Sequence, residues 1–231
     1  MCLIALAHRA TERFPLILAA NRDEDYDRAS HDAHFWPDFP DVLGGRDGGL
    51  GGTWLAITRQ ARFAAVTNLH GAVRRSRSRG LLVSDYVTRG VLPEETHEYA
   101  GFHLIAGQVG GEAAYVTPDA RRTLAPGVHG FSNAPSGEAW PKTDYAVEQM
   151  QAALSIEDPQ ELVETMMRFL TTPRGTERRE YEIFIADERY GTRASTVIVA
   201  TDETIFFSER SFTRGGVAQG DRRNYRVSIG S

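Results

Sequence analysis

The sequence predicts an α+β protein in which helices cover antiparallel β-sheets. Short apolar runs typical of strands outnumber the helical patterns, and the connections between them are short. Two of the helical patterns follow one another instead of alternating with strands. This grouping favours antiparallel sheets over a doubly wound parallel sheet, which needs a crossover helix after each strand.

The composition is that of an ordinary globular protein. The chain has 231 residues, of which 41% are hydrophobic and 25% charged. A chain of this length buries roughly 70 to 75% of its unfolded surface, and because no repeat or linker interrupts it, we predict a single domain over residues 1–231. The 26 Lys and Arg residues against 31 Asp and Glu give a formal charge of −5, so we expect no nucleic-acid partner.

Two further features predict a cytoplasmic protein without a membrane span. No apolar stretch approaches the ~20 residues that cross a bilayer, and the apolar run at residues 2–7 is too short for the core of a signal peptide. The single cysteine cannot form an internal disulfide, which excludes a secreted disulfide scaffold. These features predict no particular oligomeric state.

The predicted strands come as hairpins in the first half of the chain and as a group at its end. We predict strands at residues 2–7, 15–20, 53–58, 62–68, 102–108, 113–117, 128–132, 181–186, 195–200 and 204–209. An acidic, aromatic loop is expected at residues 21–40, and a glycine-rich loop at residues 44–52. The arginines of residues 74–79 are expected to form a solvated loop.

Three helices are predicted from apolar spacing and from the residues at their ends. The first covers residues 81–89 and should end at Gly90, since glycine suits the left-handed conformation after a helix. The second begins at Pro141 and the third follows Asp158, an N-cap residue with Glu161 three positions on. Each of these two helices has one apolar stripe, so both should pack one face against a sheet.

The cysteine at position 2 is the first candidate for chemistry. Removal of Met1 would leave Cys2 with a thiol, of reference pKa about 8.5, and an α-amine, of reference pKa about 7.7 to 8.0. One residue would then carry both the nucleophile and its base. The competing interpretation is a small hydrophobic residue that opens a strand.

Polar residues are expected to surround this thiol. A hairpin loop centred near Thr11 and Glu12 would place Cys2 opposite Ala20 or Asn21, and Arg22 and Asp23 would follow at the strand end. A carboxylate there could hold the α-amine, and a guanidinium could lower the thiol pKa. Alternatively, these residues only cap a strand and begin a loop.

A set of motifs in this order resembles the NRDE family, also called the transport and Golgi organization protein 2-like family. The motifs are Met-Cys-Leu-Ile at Cys2, Asn21-Arg22-Asp23-Glu24, Gly51-Gly52-Thr53-Trp54-Leu55, Thr67-Asn68, Ser78-Arg79-Gly80, Gly130-Phe131-Ser132-Asn133 and Tyr190-Gly191-Thr192-Arg193-Ala194-Ser195-Thr196. The resemblance covers residues 2 to about 209. It implies the four-layer αββα fold of the N-terminal nucleophile (Ntn) hydrolases, in which two antiparallel sheets lie between helices.

The resemblance extends to the choloylglycine hydrolases and penicillin V acylases, and it implies roles for individual residues. It makes Cys2 the nucleophile, Asp23 the residue that holds the amine, and Asn68 and Asn133 donors to the oxyanion. Arg193 resembles a late catalytic arginine of those enzymes.

One position departs from the acylase pattern. Ala20 stands where those enzymes have an early arginine, and Arg22 lies two residues on. Since residues two apart share a strand face, Arg22 could supply the missing cation.

Two functions are carried forward. The first is an amidase that uses an N-terminal cysteine for acyl transfer on a small amide, without a cofactor. The second is a non-catalytic protein of the same fold that binds or carries haem or another hydrophobic ligand, with Cys2 or His70 able to ligate iron.

The acidic cluster around Asp23 fits no familiar metal-site spacing, so no metal site is predicted. The aromatic residues of the loop at 21–40 would either line an apolar pocket or pin the loop to the core.

Overall fold

The structure, a computed structural model, describes residues 2–73, 75–135, 138 and 140–230. The described residues form thirteen β-strands, three α-helices and one 3₁₀ turn. The strands are β1 Leu3–His8, β2 Leu16–Asp25, β3 Ser30–Trp36, β4 Phe39–Asp47, β5 Leu55–Thr58, β6 Arg62–Asn68, β7 Phe102–Gln108, β8 Ala113–Val116, β9 Arg121–Thr123, β10 Gly127–Ser132, β11 Tyr190–Ala200, β12 Thr204–Thr213 and β13 Val217–Ser228. The helices are α1 Gly80–Arg89, α2 Pro141–Ala153 and α3 Pro159–Thr171, and the 3₁₀ turn is Arg214–Gly216.

The strands form two antiparallel sheets, which confirms the predicted α+β class. The first sheet has the order β10-β1-β2-β11-β12-β13, and the second has the order β3-β4-β5-β6-β7-β8-β9. In the second sheet each strand pairs with the next along the chain, so this sheet is a meander joined by short turns.

Three apolar cores separate four layers. Along β2, Leu16 and Leu18 face the second sheet, whereas Ile17 and Ala19 face α2 and α3. This alternation buries both faces of the strand and explains its unbroken apolar run. Helix α1 packs on the other side of the second sheet through Val83 and its neighbours. The layers are therefore two helices, the first sheet, the second sheet and one helix, as predicted.

The first hairpin has a register one residue away from the predicted one. Leu3 lies opposite Asn21, so the same alignment continued beyond β1 sets Cys2 against Arg22, not against Ala20 or Asn21. In the loop between the two strands, Phe14 donates its N–H to Thr11 Oγ1 over 3.1 Å.

The loop predicted at residues 21–40 is wrong over most of its length, and the loop predicted at residues 44–52 is wrong over its first four residues, which belong to β4. Strand β2 continues to Asp25 because its polar end pairs with β11, and β3 and β4 form a further hairpin. Gly44 lies inside β4 against β5, where a Cβ atom would stand 2.6 Å from the carbonyl oxygen of Leu55. The glycine is therefore required by a close strand approach and not by a loop.

The predicted strand at residues 181–186 is also wrong. The Glu182 carboxylate accepts hydrogen bonds from the backbone N–H groups of Arg174, Thr176 and Ile183. A side chain therefore satisfies backbone donors here that a neighbouring strand would otherwise satisfy. The next strand, β11, begins earlier than predicted, and the tail after Ser211 completes β12 and forms β13.

The helix ends confirm the capping signals. Gly90 has φ 72° and donates its N–H to the carbonyl of Tyr86. The side chain of Asp158 accepts the N–H of Glu161 over 2.7 Å, which satisfies one of the free donors of the first turn of α3.

Candidate active site

The first residues of β1 and the last residues of β2 meet at one end of the two sheets, where a cavity of about 360 Å³ opens. Cys2, Arg22 and Asp23 line it from the first sheet, and Asn68 lines it from the end of β6. We call Cys2, Arg22 and Asp23 the floor of the cavity. Four of the six predicted site residues are therefore brought together.

The Cys2 side chain is 9% exposed and faces the cavity. Its Sγ lies 3.8 Å from the backbone oxygen of Asp23. Burial raises the pKa of the Cys2 thiol, and the charge of Asp23 acts in the same direction, whereas Arg22 acts against both. A positive charge beside the sulfur is therefore what this thiol needs to become a thiolate.

Strand β11 orients the Asp23 carboxylate. Thr192 donates its hydroxyl to Asp23 Oδ1 over 2.8 Å, while the backbone N–H of Ile185 donates to the same hydroxyl oxygen over 3.0 Å. Tyr190 donates its hydroxyl to the backbone oxygen of Asp23. The carboxylate is thus fixed beside Cys2 by residues far away in sequence.

Arg22 lies against Trp54 under the cavity. Its guanidinium carbon is 4.4 Å from the Trp54 ring centroid, and Nη2 lies 3.8 Å from Glu24 Oε2. The side chain is 6% exposed, and burial lowers the pKa of the guanidinium. Its Nη1 is buried and has no hydrogen-bond partner among the described residues.

The preceding residue of the same motif, Asn21, has a different task. Its amide donates to the carbonyls of Leu170 and Ile183 and accepts the hydroxyl of Ser195. These bonds tie β2 to the end of α3 and to β11. Asn21 therefore stabilises the fold and does not face the cavity.

The two candidate oxyanion residues are coupled. Asn133 donates its side-chain N–H to the backbone oxygen of Asn68 over 2.6 Å, and Thr67 donates its hydroxyl to the backbone oxygen of Ser132. Asn68 lines the cavity, whereas Asn133 is not among the described residues that line it. In this geometry Asn133 positions Asn68.

Arg193 lies outside the cavity. Its Nη1 donates to the backbone oxygens of Asp25, Tyr26 and Arg28, over 2.7 to 3.2 Å. These bonds hold the turn between β2 and β3. A catalytic role for Arg193, as the resemblance implies, stays a prediction.

The basic segment that we predicted as a solvated loop keeps Arg75 and Arg77 exposed to solvent, and it also lines the cavity. We call residues 75–79 the rim, since Arg75, Arg77 and Arg79 all face the opening; Arg74 lies outside the described residues. Arg79 is the most buried of the three and donates to the carbonyl of Gly101 over 3.1 Å. The acidic residues of the cavity wall are already paired, because Arg28 binds both Asp47 and Glu24. The lining is therefore rich in positive charge.

The family model described as Transport and Golgi organisation 2 matches residues 1–214 of this chain. The chain belongs to this family. The Transport and Golgi organization protein 2 homologs of Bos taurus and Homo sapiens are 34% and 31% identical to it, over 86% and 94% of this chain and 87% and 94% of their own.

Solved structures of hydrolases share the fold of this Transport and Golgi organisation 2 family member. Penicillin V acylase from Agrobacterium tumefaciens has a TM-score of 0.56 at 12% identity, covering 99% of this chain and 86% of that one. A mutant conjugated bile acid hydrolase from Clostridium perfringens has a TM-score of 0.54 at 9% identity, covering 99% and 92%. The Caenorhabditis elegans N-acylethanolamine-hydrolyzing acid amidase ortholog has a TM-score of 0.52 at 12% identity, covering 86% and 92%. At these identities the likeness shows the Ntn-hydrolase-like fold.

The remaining candidates of this family member lie away from the cavity. Phe35 packs on Tyr225, and Trp36 is buried and donates its ring N–H to the carbonyl of Gly44, so these two aromatic residues pin their strand to the core, whereas Phe39 is exposed. The exposed side chain of His70 packs edge-to-face against Trp140. Among the described residues no helix is long and apolar enough to cross a membrane.

Proposed function

We propose that this chain is an amidase whose nucleophile is the N-terminal cysteine that remains after removal of Met1. The observation that carries the proposal is the meeting of Cys2 and Asp23 on the floor of one cavity, in a fold shared with an acylase, a bile acid hydrolase and an amidase. An orienting carboxylate beside a nucleophile and its base is the arrangement that acyl transfer requires.

The proposed reaction begins with transfer of the thiol proton to the α-amine of Cys2, which the Asp23 carboxylate holds in place. The thiolate sulfur attacks the amide carbonyl carbon, and the resulting oxyanion collapses while the α-ammonium gives its proton to the leaving nitrogen. The C–N bond breaks and a thioester on Cys2 remains. Water then attacks this thioester, the sulfur leaves and regains a proton, and a carboxylic acid is released.

Asn68 on the cavity wall and Arg22 on the floor are the groups that would stabilise the developing negative charge. Asn68 is fixed by Asn133, and each donor to an oxyanion contributes about 3 kcal/mol to a reaction of this type. Arg22 lies two residues after Ala20 on the same face of β2 and lines the cavity, which supports the idea that the cation has moved by two residues along the strand.

The lining of the cavity favours an amide that carries an acidic group. Arg22 lies on the floor and the three arginines of the rim line the opening, and guanidinium groups match carboxylate, sulfonate and phosphate oxygens in pairs. The alternative proposal of haem binding through Cys2 or His70 has less support, since His70 is not among the described residues that line this cavity.

Amide turnover by the purified protein tests the proposal. We would compare an N-acylglycine, which bears a carboxylate, with the neutral N-acylethanolamide of the same acyl chain, and quantify the released fatty acid by mass spectrometry. The parent should cleave the acidic amide faster, and Cys2→Ala should lose at least about 100-fold in rate. Ser155→Ala, at an exposed position of the connection after α2, should retain the parent rate. Equal rates for the parent and Cys2→Ala would refute the proposal.

A further inference from the structure

Almost all basic residues of this chain are arginine. Of the 26 Lys and Arg residues, 25 are arginine, and the single lysine is Lys142. This lysine has no solvent exposure at all. A lysine is almost never fully buried unless other charges compensate it, because its ammonium group loses its hydration.

The fold fixes this lysine beside the floor of the cavity. Lys142 lies in the first turn of α2, and its backbone N–H donates to the carbonyl of Glu180 over 3.0 Å. The next residue, Thr143, donates its hydroxyl to Ser132 Oγ over 2.9 Å, and Ser132 pairs with Leu3 in the first sheet. The first turn of α2 is therefore held, through Ser132, next to Leu3, the residue that follows Cys2 in the chain.

The charged groups around Lys142 are mainly negative. Asp23 on β2, Cys2 before β1 and Glu182 in the loop before β11 all raise the pKa of Lys142, while burial lowers it most strongly and Arg179 lowers it too. The Lys142 ammonium lies over the Trp140 ring, whose centroid is 5.8 Å from Nζ. Asp23 and Cys2 are thus the acidic partners that this lysine shares with the proposed reaction.

We propose that Lys142 is a positioning residue of the cavity, whose buried ammonium holds the Asp23 carboxylate and stabilises the Cys2 thiolate. The inference deepens the proposed function and takes its catalytic meaning from it. A cation at this place also disfavours protonation of a neighbouring α-amine, so that the amine can act as a base. A compact ammonium on a flexible chain suits a closed space better than the broad guanidinium of the 25 arginines.

The chain offers an unusually direct test, because it contains one thiol and one lysine. Alkylation by iodoacetamide, followed by intact mass, reports on Cys2 alone. In Lys142→Met the pH midpoint of alkylation should rise by about one unit or more relative to the parent, which lowers the rate at neutral pH about tenfold. Lys142→Arg should lie closer to the parent, since it keeps the charge.

Thr143→Ser is the matched control, because it removes a buried methyl group from the same helical turn but keeps the charge of the turn and the hydroxyl that bonds to Ser132. Its alkylation midpoint should equal that of the parent. A midpoint in folded Lys142→Met equal to that of the parent would overturn the inference, and so would an equal rise in Thr143→Ser. A thermal melt of each variant identifies the folded proteins.

A second measurement leaves Lys142 unchanged and covers the case in which Lys142→Met does not fold. In protein labelled at lysine, the side-chain signal belongs to one residue and its pH titration can be followed by NMR. Because the Cys2 thiolate raises the pKa of Lys142, Cys2→Ala should titrate at lower pH than the parent. Identical titration curves would contradict the inference.

Neither readout depends on amide turnover. Coupling of Lys142 to Cys2 in a parent that cleaves no amide would leave this inference standing and count against the proposed function. If the parent cleaves amides but Lys142 and Cys2 show no coupling, the proposed function stands and this inference is overturned.

Discussion

The floor and the rim of the Cys2 cavity use their polar groups in opposite ways. On the floor, Cys2, Arg22 and Asp23 are each less than a tenth exposed, and Asp23 is held by a hydroxyl from β11. On the rim, Arg75 and Arg77 lie in solvent, and Arg77 forms an exposed ion pair with Glu98. Groups that react must be held in one geometry, whereas groups that recognise a charge can adjust to it. We therefore expect substitutions on the floor to act on the chemical step and substitutions on the rim to act on binding.

The largest effect is expected from the floor carboxylate. Asp23→Asn keeps the shape of the side chain and its bond to Thr192 but removes the charge that, in the proposed reaction, holds the α-amine. Amide turnover should fall by about 100-fold or more, which is about 3 kcal/mol in the barrier, with a smaller change in KM. Steady-state kinetics on the N-acylglycine measures both. Unchanged turnover would show that the floor carboxylate has no part in the reaction.

A buried carboxyl behind Arg22 is expected to make stability depend on pH. Glu209 accepts the N–H of Ala33 and the hydroxyl of Thr196, and burial raises its pKa to about 7 from an ordinary value of 4.5. Between these pH values the folded state binds more protons than the unfolded state, so the free energy of unfolding falls as the pH rises through this window. The loss attributable to Glu209 amounts to about 3 kcal/mol at most.

Glu209→Gln removes this titration while keeping groups that can bond to Ala33 and Thr196. Urea unfolding at pH 5 and at pH 8 should therefore show a smaller difference between the two pH values for Glu209→Gln than for the parent. The same pH dependence in both proteins would assign it to other groups.

Arg22 tests whether the floor also contributes to recognition. Arg22→Met should lower kcat/KM for the N-acylglycine. The corresponding rise in activation free energy should be about 2 kcal/mol, the size of a lost hydrogen bond to a charged group. The neutral N-acylethanolamide should be affected less. Alkylation of Cys2 should also need a higher pH, because Arg22 lowers the pKa of the thiol.

The rim arginine Arg77 is the comparator for Arg22. Since its ion pair is exposed, Arg77→Ala should cost under about 1 kcal/mol in kcat/KM, and added salt should reduce the difference further. A larger loss for Arg77→Ala than for Arg22→Met would reverse the assignment of floor and rim.

Local signals in the sequence predicted the parts of the fold that depend on local chemistry. The caps Gly90 and Asp158 and the hairpin of β5 and β6 follow from the conformational preferences of a few adjacent residues. The strand missed at β3 and the strand wrongly predicted at residues 181–186 depend on long-range partners. The side chain of Glu182 accepts hydrogen bonds from backbone N–H groups, and such bonds leave no periodic pattern in the sequence from which they could be predicted.

The candidate site was predictable to the same extent. The resemblance identified Cys2 and Asp23, and the structure places them together. Thr192 stood in a quoted motif, but its bond to Asp23 arises only from the pairing of β2 with β11. Lys142 could have been noticed in the sequence because it is the single lysine of the chain. Counting Lys and Arg together hides this fact.

The central claim is that Cys2 becomes the first residue and carries the acyl group during the reaction. The most direct test is the mass of the N-terminal peptide after the parent is mixed with the N-acylglycine and quenched in acid. We predict a peptide that begins at Cys2, part of it bearing the acyl group as a thioester, and no adduct in Cys2→Ala. A peptide that still begins at Met1 and carries no acyl group would contradict the account.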